Sequence, residues 1–165
     1  MIQKSLKAFA IGTFMFAASA AFAQAAHPSP PANVGDAAAE HAGFVKTVQG
    51  TARLVTPSGE HRPLKIGDAV NSGHRIETDA GSGASVVLRD GTVMVIGPSS
   101  HLDLEQFEFV ATTQDGGLFV SLVRGSLRMI TGLLGKKPET VRVDTQSATI
   151  GIRGTDFIVT SDGRM

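Results

Sequence analysis

The chain has no cysteine among its 165 residues. That removes disulfides, thiol catalysis and thiolate metal sites together. It also has no tryptophan and no tyrosine, the side chains best suited to stacking on sugars or bases with a polar edge left wet. Charge of one sign is missing too. Fifteen basic and fifteen acidic residues balance, so no basic field draws nucleic acid or an anionic membrane surface. Phe is the only aromatic, and Phe9, Phe14, Phe16 and Phe22 fall close to the N-terminus.

The N-terminus explains where those aromatics sit. Lys4 and Lys7 give a positive start, Ala8 to Ala20 is an uncharged apolar run, and Ala21-Phe22-Ala23 supplies a small-x-small cleavage pattern. The run is shorter than the roughly 20 apolar residues of a membrane-spanning helix. A signal peptide over residues 1–23 is therefore expected, with an uncleaved anchor as the rival. No cysteine follows the cut, which excludes a lipoprotein. Loss of Lys4 and Lys7 leaves a slight acidic excess. Export without disulfides points to a periplasmic or secreted location, the bacterial periplasm above all.

Residues 24–42, "QAAHPSPPANVGDAAAEHAG" up to its last alanine, are rich in Ala and Pro and read as a flexible leader. From Gly43 to Met165 short runs of Val, Ile, Leu and Thr alternate with Gly, Asp, Ser and Pro clusters. No window holds a helical stripe, so this domain is expected to be all-β. Asp90-Gly91 reads as a two-residue turn. It pairs Leu88 with Val93, Val86 with Val95 and Val87 with Met94, a hairpin apolar on both faces and so expected to be central and covered on both sides. In "KTVQGTARLV" one strand buries Val48, Ala52 and Leu54, with Gly50 marking a bulge or a close approach. "SHLDLEQFEF" changes phase between Leu104 and Phe107, so it bulges near Glu105 or bends into a second sheet. "LFVSLVRGSLRMI" reads as two short strands about Gly125, and "TVRVDT" as another. The segment "TGLLGKKP" between them is a polar-tipped loop.

The stretch "SATIGIRGTDFIV" gathers Arg153, Gly154, Thr155 and Asp156 in four consecutive positions. Alternation runs up to Arg153 and resumes at Phe157 and Val159, with Gly154 free to take unusual φ between them. The cluster reads as a corner between strands, with Arg153 tied to Asp144 or Asp156. The competing reading has Arg153 contacting an acidic group on a partner.

The order of these motifs resembles the FecR domain family. In that family a Gly-Asp turn and a second glycine precede an Ile-x-Thr segment; an Asp-Gly hairpin, a Pro-Ser step, a Gly-x-Leu strand and a closing Arg-Gly-Thr-x-Phe follow. Here the positions are Gly67-Asp68, Gly73, Ile76-Glu77-Thr78, Asp90-Gly91, Pro98-Ser99, Gly125-Ser126-Leu127 and Arg153-Gly154-Thr155-Asp156-Phe157. The resemblance covers roughly residues 43 to 160. It implies a periplasmic domain of stacked short strands and hairpins, solenoid-like or sandwich-like, with a signalling role. Better-known members relay a signal from an outer-membrane iron-siderophore receptor to a cytoplasmic sigma factor. Their cytoplasmic sigma-binding segment precedes a single membrane helix. Only a handful of residues precede the apolar run here, so anti-sigma activity is not carried over.

No catalytic, cofactor or metal site is expected. Ser99, His101 and Asp103 alternate along one strand and cannot close a hydrolytic triad, which assembles from separate elements. His27, His41, His61, His74 and His101 lack metal-ligand spacing. Asp68, Asp79 and Asp90 each sit in a turn, where the carboxylate bonds local backbone. The expected function is a non-enzymatic protein-interaction module whose partner is an outer-membrane receptor or a membrane signalling protein. A scaffold that binds peptidoglycan is the alternative. Near the C-terminus Asp162-Gly163 signals a hairpin with almost nothing after it. That leaves the preceding strand as an open edge for a partner or a second copy.

Overall fold

A computed structural model of the protein describes residues 41–154 and 156–163. The signal-peptide segment, nearly all of the leader, His27 and Thr155 lie outside the described residues. Among the described residues twelve strands form one curled sheet, so the all-β expectation holds. The sheet is best followed as two leaves. The first holds β1 (Gly43–Gln49), β4 (Ala69–Val70), β6 (Gly83–Leu88), β7 (Val93–Ile96) and β12 (Asp156–Ser161). The second holds β2 (Ala52–Val55), β3 (His61–Pro63), β5 (His74–Thr78), β8 (His101–Val110), β10 (Val141–Thr145) and β11 (Thr149–Ile152).

One strand belongs to both leaves. The sequence "LFVSLVRGSLRMI" is not two short strands but the greater part of β9 (Asp115–Ile130). Its first half pairs antiparallel with β8 and parallel with β10; its second half pairs antiparallel with β7 and β12. The hinge is Gly125, at φ +94, where a Cβ would stand 2.6 Å from Ser100 Cβ. Gly125 also changes the phase of the strand. Leu118, Val120 and Leu122 point inward before it, Leu127 and Met129 after it, and all five are buried. A continuous hydrogen-bonded strand thus delivers apolar side chains to one core from two sheets. Each such aliphatic side chain contributes about 1.5–3 kcal/mol through burial.

Two other corners follow the same logic. The chain passes from β1 in one leaf to β2 in the other through Gly50, at φ +69, whose missing side chain leaves room for Ser82. Ala52 and Leu54 are buried and Val48 packs on the same cluster, as the alternation requires. Within β8 the register slips between Leu104 and Gln106, which makes Glu105 the extra residue of a bulge. The slip keeps Leu102, Leu104, Phe107 and Phe109 on the core side.

The Asp90-Gly91 hairpin differs from the two-residue turn expected of it. Val87 pairs with Val93, Val86 with Met94 and Ser85 with Val95, one position away from the sequence-based pairing. Leu88 N–H donates to Thr92 O at 2.9 Å and Gly91 N–H to Leu88 O at 3.0 Å. These bonds close a three-residue loop with Gly91 at φ +86. The cause is Asp90, which turns inward and is buried. Its carboxylate accepts the Thr92 amide at 3.0 Å and the Thr92 hydroxyl at 2.7 Å, and its carbonyl accepts the Leu133 amide at 2.9 Å. This clasp seats the 3-10 turn at Leu134–Lys136, with Leu134 fully buried beneath it. The hairpin is central in strand order, but Met94 joins Val86 inside while Val95 faces out. It is covered on one side rather than two.

Candidate docking face

The family-motif positions build corners. Gly67 (φ +87) and Asp68 make one turn, where Asp68 Oδ2 accepts the Lys65 amide at 2.9 Å and the Arg62 guanidinium at 2.6 Å. Gly73, at φ +81, donates its amide to Leu104 O at 2.7 Å. Thr78 is buried; its hydroxyl donates to Gly97 O at 2.7 Å and accepts the Ser100 amide at 3.0 Å. Ser100, which the sequence reading missed, is fully buried and accepts the Ser126 amide at 3.0 Å. Together these hydroxyls satisfy the backbone where β7 gives way to β8 against the bend of β9. The sequence signal was a hydroxyl just after the Pro98-Ser99 step, where a turn leaves amides without ladder partners.

Arg153-Gly154 is the remaining corner. Ile152 pairs with Val141, which lies beside Leu118 in the second leaf, whereas Asp156 pairs with Ile130 in the first. The chain therefore passes from one leaf to the other between Ile152 and Asp156. Gly154 O accepts the Thr131 hydroxyl, and Phe157 is half-buried against the core. Arg153 is exposed, and neither carboxylate expected to hold it does so. Asp156 is gripped by Arg128 through two bonds, at 3.0 and 2.7 Å, and Asp144 is held by Arg142 at 3.0 Å. The Arg128 hydrogen bond holds the Asp156 carboxyl below its ordinary range.

Ser99, His101 and Asp103 do not form a reactive group. Asp103 is held by Arg75 at 2.6 and 3.1 Å, and His101 Nε2 lies 2.8 Å from Arg124. Ser99 occupies the turn before the strand, at φ +52. Among the described residues no cluster of His, Asp or Glu has metal-site geometry.

The outward faces of the two leaves contrast sharply. Across the second leaf the register aligns Arg75, Asp103, Ser121 and Asp144 in one row. Arg53 pairs with Asp79 at 3.1 Å nearby, and the Arg142 guanidinium stacks on Phe119 at 4.6 Å. This face is a lattice of paired charges. Across the first leaf the register aligns Phe44, Val87, Val93 and Ile130 in one row, and Val95, Arg128 and Ile158 in the next. Phe44 is 48% exposed, Val95 41%, Ile130 38% and Ile158 68%. Beside Val95 a groove of about 310 Å³ opens where Gly83 and Gly97 carry no side chains, with Thr47, Ser82 and Pro98 on its rim. Scattered exposed apolar residues need no explanation, whereas a registered patch beside a groove is a candidate contact surface. Of the family-motif positions, Pro98 borders that groove, while the glycines and carboxylates of the motif build corners elsewhere.

Among the described residues no helix is long and apolar enough to cross a membrane. No curated protein matches the chain significantly. A solved cell surface anchoring domain is similar at 30% identity, over 37% of this chain and 80% of that one, with a TM-score of 0.36. The model of the FecR protein family matches residues 74–165, from the first residue of β5 onward. That family is regulatory and envelope-associated. More than half of the sequence, including the Asp-Gly hairpin, the Gly125 bend and the Arg-Gly corner, lies within that match, and the chain belongs to the FecR family.

Proposed function

We propose that the protein is a non-enzymatic, exported signal-sensing module of the bacterial envelope that works by protein–protein contact. Its docking face is the outer side of the first leaf. Its partner is an envelope protein, an outer-membrane receptor or a membrane signalling protein, that presents an apolar surface. The observation that carries this reading is the asymmetry of the two outer faces. Phe44, Val87, Val93, Val95 and Ile130 stand together on one, with the Arg128–Asp156 ion pair at its β12 margin, while ion pairs cover the other. The N-terminal Lys4, Lys7 and Ala21-Phe22-Ala23 pattern supports export to the periplasm. Carboxylates engaged by arginine and a histidine beside Arg124 are poor candidates for acid–base work.

A photo-crosslinking residue at Val95 in the full chain, expressed in its exporting host, tests this. One envelope protein should be captured from Val95 and not from the same probe at Ser121 on the opposite leaf. Ile130→Asp should abolish the adduct while the melting temperature holds. Equal capture from both faces, or co-sedimentation with purified sacculi that survives Ile130→Asp, would overturn it in favour of a cell-wall scaffold.

A further inference from the structure

A sheet that ends in water exposes unpaired amides and carbonyls along its last strand, and folded proteins blunt such edges. Among the described residues the outermost strands are β3, β4, β11 and β12, and the first three are blunted. β3 is three residues long and contains Pro63. β4 has two residues, and β11 has four with Gly151 inside it. Proline and glycine both weaken a strand as a template. β12 is different. It runs for six residues, Asp156 to Ser161, without Pro, Gly or Lys, and among the described residues its one neighbour is β9. Ile158, at its centre, is the most exposed apolar side chain in the first leaf.

We infer that β12 pairs antiparallel with β12 of a second copy of this chain about a two-fold axis through Ile158. In an antiparallel pair, residues directly opposite one another share a face. A two-fold axis at Ile158 sets Ile158 against its own counterpart, Phe157 against Val159 and Asp156 against Thr160. Phe157 and Val159 both face the core, so this register carries the apolar interior across the junction. Ile158, unaccompanied in one chain, gains an apolar partner of matching size on the outer face. A shift of one residue in either direction sets core-facing side chains against solvent-facing ones, so the alternation itself selects an even shift. The registers centred on Ile158 and on Val159 each keep five of the strand's six residues paired, and only the first sets Ile158 against an apolar side chain rather than Thr160.

The assembly has a consequence for docking, which rests on the proposed role of the first leaf. An axis perpendicular to the sheet keeps both outer faces on the same side. Two copies of Phe44, Val93, Val95 and Ile130 then stand on one continuous surface, suited to a partner that is itself two-fold or repeated. The pairing does not depend on that role. It uses the edge of β12, and the docking face remains open.

Sedimentation equilibrium on the purified full chain reads the pairing directly. The protein should reach twice the mass of one chain as its concentration rises toward about 1 mM, the weak end of specific association. Ile158→Lys sets two ammonium groups against each other across the axis. It should hold the protein at the mass of one chain with its melting temperature unchanged, since the side chain is 68% exposed. The absence of native cysteine makes a single introduced thiol unique. Ile158→Cys should form a disulfide-linked dimer under mild oxidation, and Lys46→Cys, on β1 at the far side of the leaf, should not. A wild-type chain that stays single over the whole range, or a dimer that persists in Ile158→Lys, would overturn the pairing. Neither result bears on crosslinking at Val95, so the two readings fail separately.

Discussion

Gly125 and Ser100 share a space that holds only one side chain. The Gly125 Cα passes so close to Ser100 that an added methyl would lie 2.6 Å from Ser100 Cβ, and the glycine holds φ +94. The contact fixes the point at which β9 leaves one leaf and enters the other. Gly125→Ala meets both a steric and a conformational penalty. It should destabilise the protein by at least about 1–3 kcal/mol in urea unfolding. Gly151→Ala, where nothing lies within 4 Å of the added methyl, should stay within about 0.5 kcal/mol of wild type. Equal effects from the two substitutions would show that the bend is not held at Gly125.

Legibility in the sequence followed the range of the interactions. The alternation of Ala52 with Leu54, the phase change at Glu105 and the corner at Gly154 are local, and each matched its place in the fold. The register of the Asp90-Gly91 hairpin was not local. Asp-Gly alone favours a two-residue turn, but the carboxylate of Asp90 is drawn inward by Thr92 and by the Leu134 amide, 44 positions away in sequence, at 3.4 Å. That pull adds a residue to the loop and exchanges Val95 for Met94 on the core side. The docking face was hidden by the same error. With Val93 and Val95 expected under a covering layer, the outer row from Phe44 to Ile130 could not be recognised. Burial of β9 on both sides of Gly125 likewise depends on two leaves that no short window contains.

Stability should fall as the solution is acidified, in two stages. Burial, then the positive charge of Arg62, pushes His74 below its ordinary value of 6.5. Burial, then Arg124, does the same to His101, with Arg75 adding to the effect and Glu77 and Asp103 opposing it. His74 Nδ1 accepts the Asn71 amide at 3.2 Å, a bond that protonation of that nitrogen breaks. Both rings are therefore harder to protonate folded than unfolded, so the unfolded chain takes up more protons as pH drops below 6.5. Asp156 and Asp115 are held below 3.8 by Arg128 and Lys137. Their contribution is present above 3.8 and is lost as pH falls through their lower folded values. Thermal melts should show a first decline beginning near pH 6.5 and a second below 3.8. His74→Asn with His101→Gln keeps a hydrogen-bond acceptor at each site and should flatten the first decline. A double variant that tracks wild type through that range would remove the histidines as its cause.

The bulge in β8 makes a sharper test of the fold, through deletions. Glu105 is the extra residue of β8 at this bulge, where Leu104 pairs with Val120 and Gln106 with Phe119. Deleting Glu105 leaves strict alternation, with Leu102, Leu104, Phe107 and Phe109 still inward and Asp103, Gln106 and Glu108 outward. The shortened chain should fold, with an unchanged far-ultraviolet spectrum and a loss within about 3 kcal/mol. Deleting Asp103, only two positions away, has a different result. It removes the partner of Arg75, turns Leu104 outward and drives Glu105 toward the core, which sacrifices about 1.5–3 kcal/mol of burial and buries an unpaired carboxylate as well. That chain should not accumulate as a folded protein. The two deletions are equal in length and sit on the same strand, so a difference between them measures side-chain phase rather than strand length. If both unfold the protein, Glu105 is a paired member of the strand and the core-facing assignment of Phe107 and Phe109 must be redrawn.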